Sequence, residues 1–438
     1  MKRYEAYKDS GVEWIGEIPA HWELKRLKWV AEKIQTGSTP PSSQPEYYIE
    51  EMNWYTPSDF NDKLELNSSN RKISNSAIFD GVVKVIPENS VLFVGIGATL
   101  GKVAFIREAA CANQQINGIS FVDIGKAKFY TFYFLSAKIH IVALANSATL
   151  PILNQSQMKD LKTPLPPLAE QTSIAEFLDR KTSQIDSLVE KKKRLIELLK
   201  EEKAAVINRA VTKGIDPNVK MKDSGVEWLG EIPEHWEVKK LKWVADLNGR
   251  IGFRGYTTSD LVGELEGAIS LSPSNMINGK LETDKSTYLS WEKYYESPEI
   301  IVEPEDVLMV KTGSTFGKIA LVERVDYPMT INPQITIFKK IKCVPRYLFY
   351  FLSSEFIQNL ISITNSGSTI PTISQERILD IVIFLPSKSD QVEIVNYIQR
   401  KSIQIDSTIS KIEKEIELLQ EYRTALISEV VTGKVRVG

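Results

Sequence analysis

Between Pro167 and Gly214, apolar residues fall at Ile174, Leu178, Ile185, Leu188, Leu195, Leu199 and Val206. That spacing, near 3.5 residues, is the seam one helix presents to another. No Pro or Gly interrupts the stretch, so it predicts one continuous helix about 65 Å long at ~1.5 Å per residue. A rod of that length cannot be surrounded on every side by one small domain, so it needs a partner. Shifting by 220 positions supplies one, from Ser387 to Lys434: Ile174, Leu178, Ile185, Leu199, Val206 and Ala210 become Ile394, Ile398, Ile405, Leu419, Leu426 and Val430. The apolar face is kept while most polar positions differ, which predicts that each helix packs against the other.

The remaining pattern is also duplicated. Lys8 to Ala31 and Lys222 to Ala245 agree at 20 of 24 positions, an internal repeat. In it Trp14, Trp22, Leu27, Trp29 and Val30 are expected to supply buried surface. Each copy leads into a less similar segment of short β-like runs, Val82–Ile86, Val91–Val94 and Val103–Ile106 in the first half, Val307–Val310 and Ile319–Val322 in the second, punctuated by Gly, Pro, Asn and Ser. Tyr130–Ser136 and Tyr347–Ser353 read as matching aromatic helices. Ser147-Ala148-Thr149-Leu150-Pro151 matches Gly367-Ser368-Thr369-Ile370-Pro371 ahead of each long helix.

The plan is α+β: two globular domains with curved sheets (1–165 and 215–385), each followed by a long helix (166–214 and 386–438). Two similar units that bury a single stripe can satisfy each other isologously, running the helices antiparallel about a pseudo-two-fold axis.

Bulk properties add little. Hydrophobic residues make up 42% and charged residues 25% of the 438, as in ordinary soluble proteins, and a net charge of −2 argues neither for nor against nucleic acid. Cys111 and Cys343 have no metal-ligand spacing; His21 and His235 are copies within the repeat, and His140 has apolar neighbours, so all three read as structural. The start, Met1-Lys2-Arg3-Tyr4-Glu5, lacks a signal-peptide core, and no run reaches membrane-spanning length; a cytoplasmic protein without a membrane partner is expected.

Tests for catalysis fail. Gly97-Ala-Thr-Leu-Gly-Lys102 and Gly313-Ser-Thr-Phe-Gly-Lys318 suggest phosphate loops, but Ile96 and Thr312 replace the required first Gly, and Val103 and Ile319 replace the Ser or Thr that would hold magnesium. Thr56-Pro-Ser-Asp59 and Ser272-Pro-Ser-Asn275 lack an aromatic to stack on a flipped base. No nucleophile elbow or metal motif occurs, so no catalytic residue and no metal is assigned.

What remains is a set of polar loop residues at matching places. Asn and Gln suit adenine, Arg and Lys suit guanine, and Ser or Thr suits base or phosphate. The candidates for DNA contact are Thr36, Ser38, Thr39, Lys102, Gln114, Gln115 and Asn117 in the first half, and Arg250, Phe253, Arg254, Lys311, Ser314, Lys318, Asn332 and Gln334 in the second.

Gly16-Glu-Ile-Pro-Ala-His-Trp22 with its copy Gly230-Glu-Ile-Pro-Glu-His-Trp236, Pro166-Pro-Leu-Ala-Glu-Gln171 at a helix start, the Gly-x-x-x-Gly-Lys loops and the duplicated plan resemble the DNA specificity subunit of type I restriction-modification systems. The second helix start, Pro386-Ser-Lys-Ser-Asp-Gln391, departs from that signature. The resemblance implies two target recognition domains that read the halves of a gapped site in double-stranded DNA, with the helices as a ruler. It implies as partners two methyltransferase subunits and restriction or motor subunits, which carry S-adenosylmethionine, ATP and magnesium; this chain would hold no cofactor. Two other readings stay open: a coiled-coil scaffold that binds only proteins, and an enzyme that uses Lys102 and Lys318.

Overall fold

Strand-forming runs in this chain are apolar at consecutive positions, the pattern of a sheet covered on both faces. A computed structural model, which describes residues 2–49, 51–60, 64–145, 151–226, 230–250, 252–363 and 371–437, shows this twice. The matched stretches 147–150 and 367–370, the repeat positions 227–229 and the Phe253 side chain lie outside the described residues. The chain divides into two units, residues 1–192 with 413–438, and residues 193–412.

In the first unit, β1 (Lys33–Thr36), β2 (Ser90–Val94), β3 (Val103–Ile106) and β4 (Ile116–Ser120) form an antiparallel sheet in the order β1-β4-β2-β3. Alternate residues of β2 serve different cores. Val91 and Phe93 meet the aromatic helix Ile124–Ala143 through Phe129, Tyr130 and Phe134, whereas Leu92 and Val94 join Tyr55, Phe60 and Ala112. The second unit repeats the order with β5 (Asp246–Gly249), β6 (Val307–Val310), β7 (Ile319–Leu321) and β8 (Ile335–Lys339), as β5-β8-β6-β7. Val307 and Met309 face Tyr347, Leu348 and Phe351, while Leu308 and Val310 face Ile269, Leu271 and Ile331. The hydroxyls of Tyr130 and Tyr347 donate to the carbonyls of Pro164 and Phe384, both at 2.7 Å, so each buried ring has its polar end satisfied.

The sheets differ in their flanking strands. Met52–Tyr55 and Cys111–Ala112 run parallel in the first unit, as do Ala268–Leu271 and Met329–Ile331 in the second, which extends that sheet with Thr287–Leu289 and Leu261–Val262.

The expected long helices form as α1 (Leu168–Lys213) and α2 (Lys388–Val431). Within the first unit Asp186 of α1 meets Arg423 of α2 at 3.2 Å, and further along α1, Lys192 meets Glu415. Within the second unit Lys203 pairs with Asp406 at 2.8 Å, and Ala210 and Val211 share a core with Ile394, Val395 and Ile398. In both units α2 numbers fall as α1 numbers rise, so the packing is antiparallel.

Three expectations are corrected. Leu188 and Leu195 are exposed, and Val189 and Ile196 carry the seam instead, because buried Leu178, Thr182, Ile185, Val189 and Ile196 keep the alternating four- and three-residue steps of a 3.5-residue repeat, and Leu188 and Leu195 each fall one residue out of that phase. Val82–Ile86 is not a strand; only Ile86 forms a bridge, to Ala110. Trp29 is 74% exposed rather than buried. It stands in a 3-10 turn, Leu27–Trp29, where residues three apart share a face; Leu27 and Val30 take the inward face and Trp29 is left outside.

Candidate nucleic-acid interface

In each unit one end of the four-stranded sheet gathers the loops that carry most of the candidate residues. The Gly-x-x-x-Gly-Lys segments are the β2–β3 and β6–β7 connections. Gly97 and Gly101 have φ of +92° and +85°, and Gly313 and Gly317 of +112° and +82°, values that a side chain would strain. The loops run from strand to strand, so no helix start follows the Lys as phosphate binding would require. Lys102 Nζ donates to the Phe60 carbonyl at 2.9 Å, and Lys318 Nζ to the Pro273 carbonyl at 3.1 Å. Each lysine thus clamps a neighbouring turn, the Thr56–Asp59 or Ser272–Asn275 segment. Those turns are rigid in themselves: Asp59 accepts from the Thr56 amide at 2.7 Å and Asn275 from the Ser272 amide at 2.9 Å.

Beside each glycine turn stands a glutamine held in one orientation. Asn113 Nδ2 donates to Gln115 Oε1 at 3.0 Å while Asn113 Oδ1 accepts from the Gln115 amide at 3.1 Å; Asn332 and Gln334 repeat this at 3.3 and 3.0 Å. The Nε2 groups face the turns, 3.6 Å from where a Cβ on Gly97 would sit and 3.2 Å from one on Gly313. They have no hydrogen-bond partner among the described residues. A fixed amide with an open donor edge, seated over bare backbone, is suited to a planar polar ligand such as a base edge. The orienting role of Asn113 was missed from sequence, although the matched Asn-x-Gln in both halves is its signal.

Behind the glutamines the two units part. In the first, Thr36 Oγ1 donates to Asn117 Oδ1 at 2.7 Å and Asn117 Nδ2 to the Leu153 carbonyl at 3.4 Å, with Gly95 beneath. Asn117 is 3% exposed, so its polar atoms serve the loop and not an incoming base. In the second unit the matching positions are Gly249, Thr336 and Lys311. Lys311 is half-buried, and desolvation holds its ammonium below the ordinary lysine pKa. It has no acidic partner among the described residues, and the Thr336 hydroxyl is buried without a hydrogen bond. A desolvated cation at this end favours an anionic or carbonyl-rich ligand.

The other candidates sort by exposure. Thr39 and Gln114 are exposed and hydrogen-bonded to each other, Ser314 is exposed in its turn, and Ser38 accepts from the Lys84 amide at 3.1 Å. Arg250 corrects the expectation of a base-contacting cation. It is 5% exposed and donates to the Ile331 carbonyl at 3.2 Å, the Thr330 hydroxyl at 3.1 Å and the Arg254 carbonyl at 3.3 Å. Arg254 pairs with Glu299 at 3.0 Å.

Burial pushes the Cys111 and Cys343 thiols up to about 12, so neither is a nucleophile near neutral pH. His21 meets Glu170 at 2.7 Å and His235 meets Asp390 at 3.1 Å beside the starts of α1 and α2. Among the described residues no metal-ligating cluster forms and no helix is long and apolar enough to cross a membrane.

Comparison with known proteins matches the family model for the type I restriction modification DNA specificity domain at residues 19–198 and again at 233–418. The MjaVIII type I restriction enzyme specificity subunit of Methanocaldococcus jannaschii is 26% identical over 428 residues, covering 96% of this chain and 94% of that one. The EcoBI specificity subunit of Escherichia coli is 24% identical, covering 80% and 74%. Among solved structures, a chain from a type I R-M system described in terms of complex assembly and conformational transition superposes with a TM-score of 0.73 at 16% identity, over 95% of this chain and 99% of that one. The HsdS subunit from Thermoanaerobacter tengcongensis gives 0.60 at 14% identity, over 95% and 98%.

Proposed function

The chain belongs to the type I restriction-modification DNA specificity family, and from that premise we propose that it reads a bipartite, gapped site in double-stranded DNA, one half-site per unit. The observation that carries this reading is the repeated glutamine over a glycine turn, set among polar neighbours that differ between units. Equal frames with unequal chemistry are what two unlike half-sites demand. In this reading Gln115 and Gln334 contact base edges, Lys311 contacts guanine or phosphate, and Thr39, Gln114 and Ser314 supply contacts at the rim.

Catalysis lies in other subunits. The chain docks two methyltransferase subunits and the restriction or motor subunits, and S-adenosylmethionine, ATP and magnesium act in those partners. Exchange of residues 33–146 for the segment of a relative with another target tests the division of labour, with methylated sites mapped in cellular DNA. One half-site changes and the other is retained; a change in both, or in neither, overturns the proposal. Gln115→Ala and Gln334→Ala each relax discrimination in one half-site by about 1–3 kcal/mol, measured as competition between cognate and single-mismatch duplexes.

A further inference from the structure

The exposed indole of Trp29 has a twin. Trp243, its counterpart in the repeat, is 64% exposed. In both turns the inward positions are filled, by Leu27 with Val30 and by Leu241 with Val244. The turns are also pinned alike: the Leu27 amide donates to Leu161 and the Leu241 amide to Ile381, at 2.8 and 2.9 Å. Charges around the indoles repeat as well. Asp160 joins Lys28 at 2.9 Å and Arg26 at 3.1 Å; Asp380 joins Lys242 at 3.3 Å and Lys240 at 2.9 Å. Each site therefore presents a large apolar ring beside two cations that share one carboxylate.

Two internal comparisons point to a ligand for this surface. Of the twelve exposed positions among residues 8–31, only Ala20 and Arg26 differ in the second copy. On the long helices retention is weaker: exposed Ser173, Glu176, Ser183 and Leu195 become Glu393, Asn396, Ile403 and Glu415, while exposed Arg180, Gln184, Asp186 and Ser187 keep their identity in Arg400, Gln404, Asp406 and Ser407. Packing explains the retained core of both regions; it does not explain why exposed residues are kept more completely in the tryptophan segment. The second comparison is positional. β1 runs from Lys33 to Thr36 and β5 from Asp246 to Gly249, with Thr36 and Gly249 at the reading end. The tryptophans precede the opposite ends of these strands, so the surface faces away from the loops proposed to meet DNA.

We propose that Trp29 with Lys28 and Asp160, and Trp243 with Lys242 and Asp380, are two copies of one docking surface, each taking a methyltransferase subunit. A surface that is the same in both units, while the reading ends differ, fits a partner that is the same in both places. The partner site has an apolar slot for the indole, rimmed by carboxylates that complement the excess cation. Large aromatic anchors beside charges carry a disproportionate share of interface energy. The assignment rests on the function proposed above and adds the residues that hold the partner.

The test uses the full chain with its cognate methyltransferase subunit, in titration calorimetry and native mass spectrometry. Trp29→Ala and Trp243→Ala each lower the bound methyltransferase from two copies to one, with affinity at the altered site reduced more than about tenfold, and the double variant binds none. Lys28→Glu weakens the first site in the same direction without removing the ring and serves if an alanine variant misfolds. Two copies bound within twofold of the unaltered affinity by all variants overturns the assignment. Loss of DNA affinity with methyltransferase binding intact overturns it too and gives the indoles to nucleic acid. If the unaltered chain takes up no methyltransferase subunit, the functional reading fails with it; if the unaltered chain binds and the variants bind equally, only this assignment fails.

Discussion

Gly37 and Arg250 occupy the same place in the two units, one residue past β1 and β5, and solve one problem by opposite means. The adjacent flanking strand, ending at Ala112 or Ile331, carries a carbonyl that must be satisfied. In the first unit the backbone closes on it directly: the Ser38 amide donates to Ala112 at 2.8 Å, and a Cβ on Gly37 would lie 2.2 Å from that oxygen. In the second unit the Arg250 guanidinium fills the gap and donates to Ile331. The approach of one loop therefore decides whether the position holds no side chain or the longest polar one. The same substitution logic runs through Thr36, Asn117 and Gly95 against Gly249, Thr336 and Lys311. At Gly37 and Arg250 the shared backbone frame tolerates different fillings because each satisfies the same buried carbonyl, whereas at the second trio the first unit closes on itself and the second leaves the Thr336 hydroxyl open.

The comparison is broken most severely by Gly37→Arg. The nearest obstacles are the backbone oxygens of Ala112 and Asn113, which cannot move as a side-chain end would. Loss of more than about 4 kcal/mol is expected, seen by chemical denaturation as loss of the first unit's transition with the second retained. Arg250→Ala, the reverse case, leaves the Ile331 carbonyl and the Thr330 hydroxyl short of a donor, costing about 1–3 kcal/mol; hydrogen exchange of Met329–Ile331 amides localises it.

Lys311→Met sharpens the contrast at the reading end. Burial disfavours the charged ammonium, so its removal leaves the melting temperature unchanged or higher, while the slope of log K against log salt for DNA binding falls by about one. The sign of the pH effect follows from the direction of the shift. With the folded pKa below that of the unfolded chain, the ammonium is lost first in the folded protein as pH rises, and the charging penalty on stability vanishes above the unfolded value. DNA binding of the unaltered chain consequently weakens at a lower alkaline pH than that of Lys311→Arg. The smallest effect belongs to Asp406→Asn. Its pairing with Lys203 is largely solvated, and its loss costs about 0.2–1 kcal/mol with no change in half-site preference.

Part of the candidate site was legible in the residues. The Gly-x-x-x-Gly-Lys segments, Gln115 and Gln334 all fall in loops at one end of each sheet, because each belongs to a local turn whose geometry is carried by neighbours in sequence. Arg250 and Asn117 were misread as outward-facing because their partners, Ile331 and Leu153, are distant in sequence, and a polar side chain in a loop looks the same from sequence whether it faces solvent or a buried carbonyl. Trp29 erred in the other direction. Its hydrophobicity suggested burial, but the three-residue period of its turn placed Leu27 and Val30 inside.

By itself the sequence determined the duplication, the long helices and the short apolar strand runs, since such patterns are local properties set by backbone geometry. Tertiary structure alone decided which polar groups on a shared frame stay open to a ligand and which close on the protein. Hydrogen bonding inside a fold is settled by what lies within about 3 Å, and that neighbourhood is assembled from segments far apart along the chain.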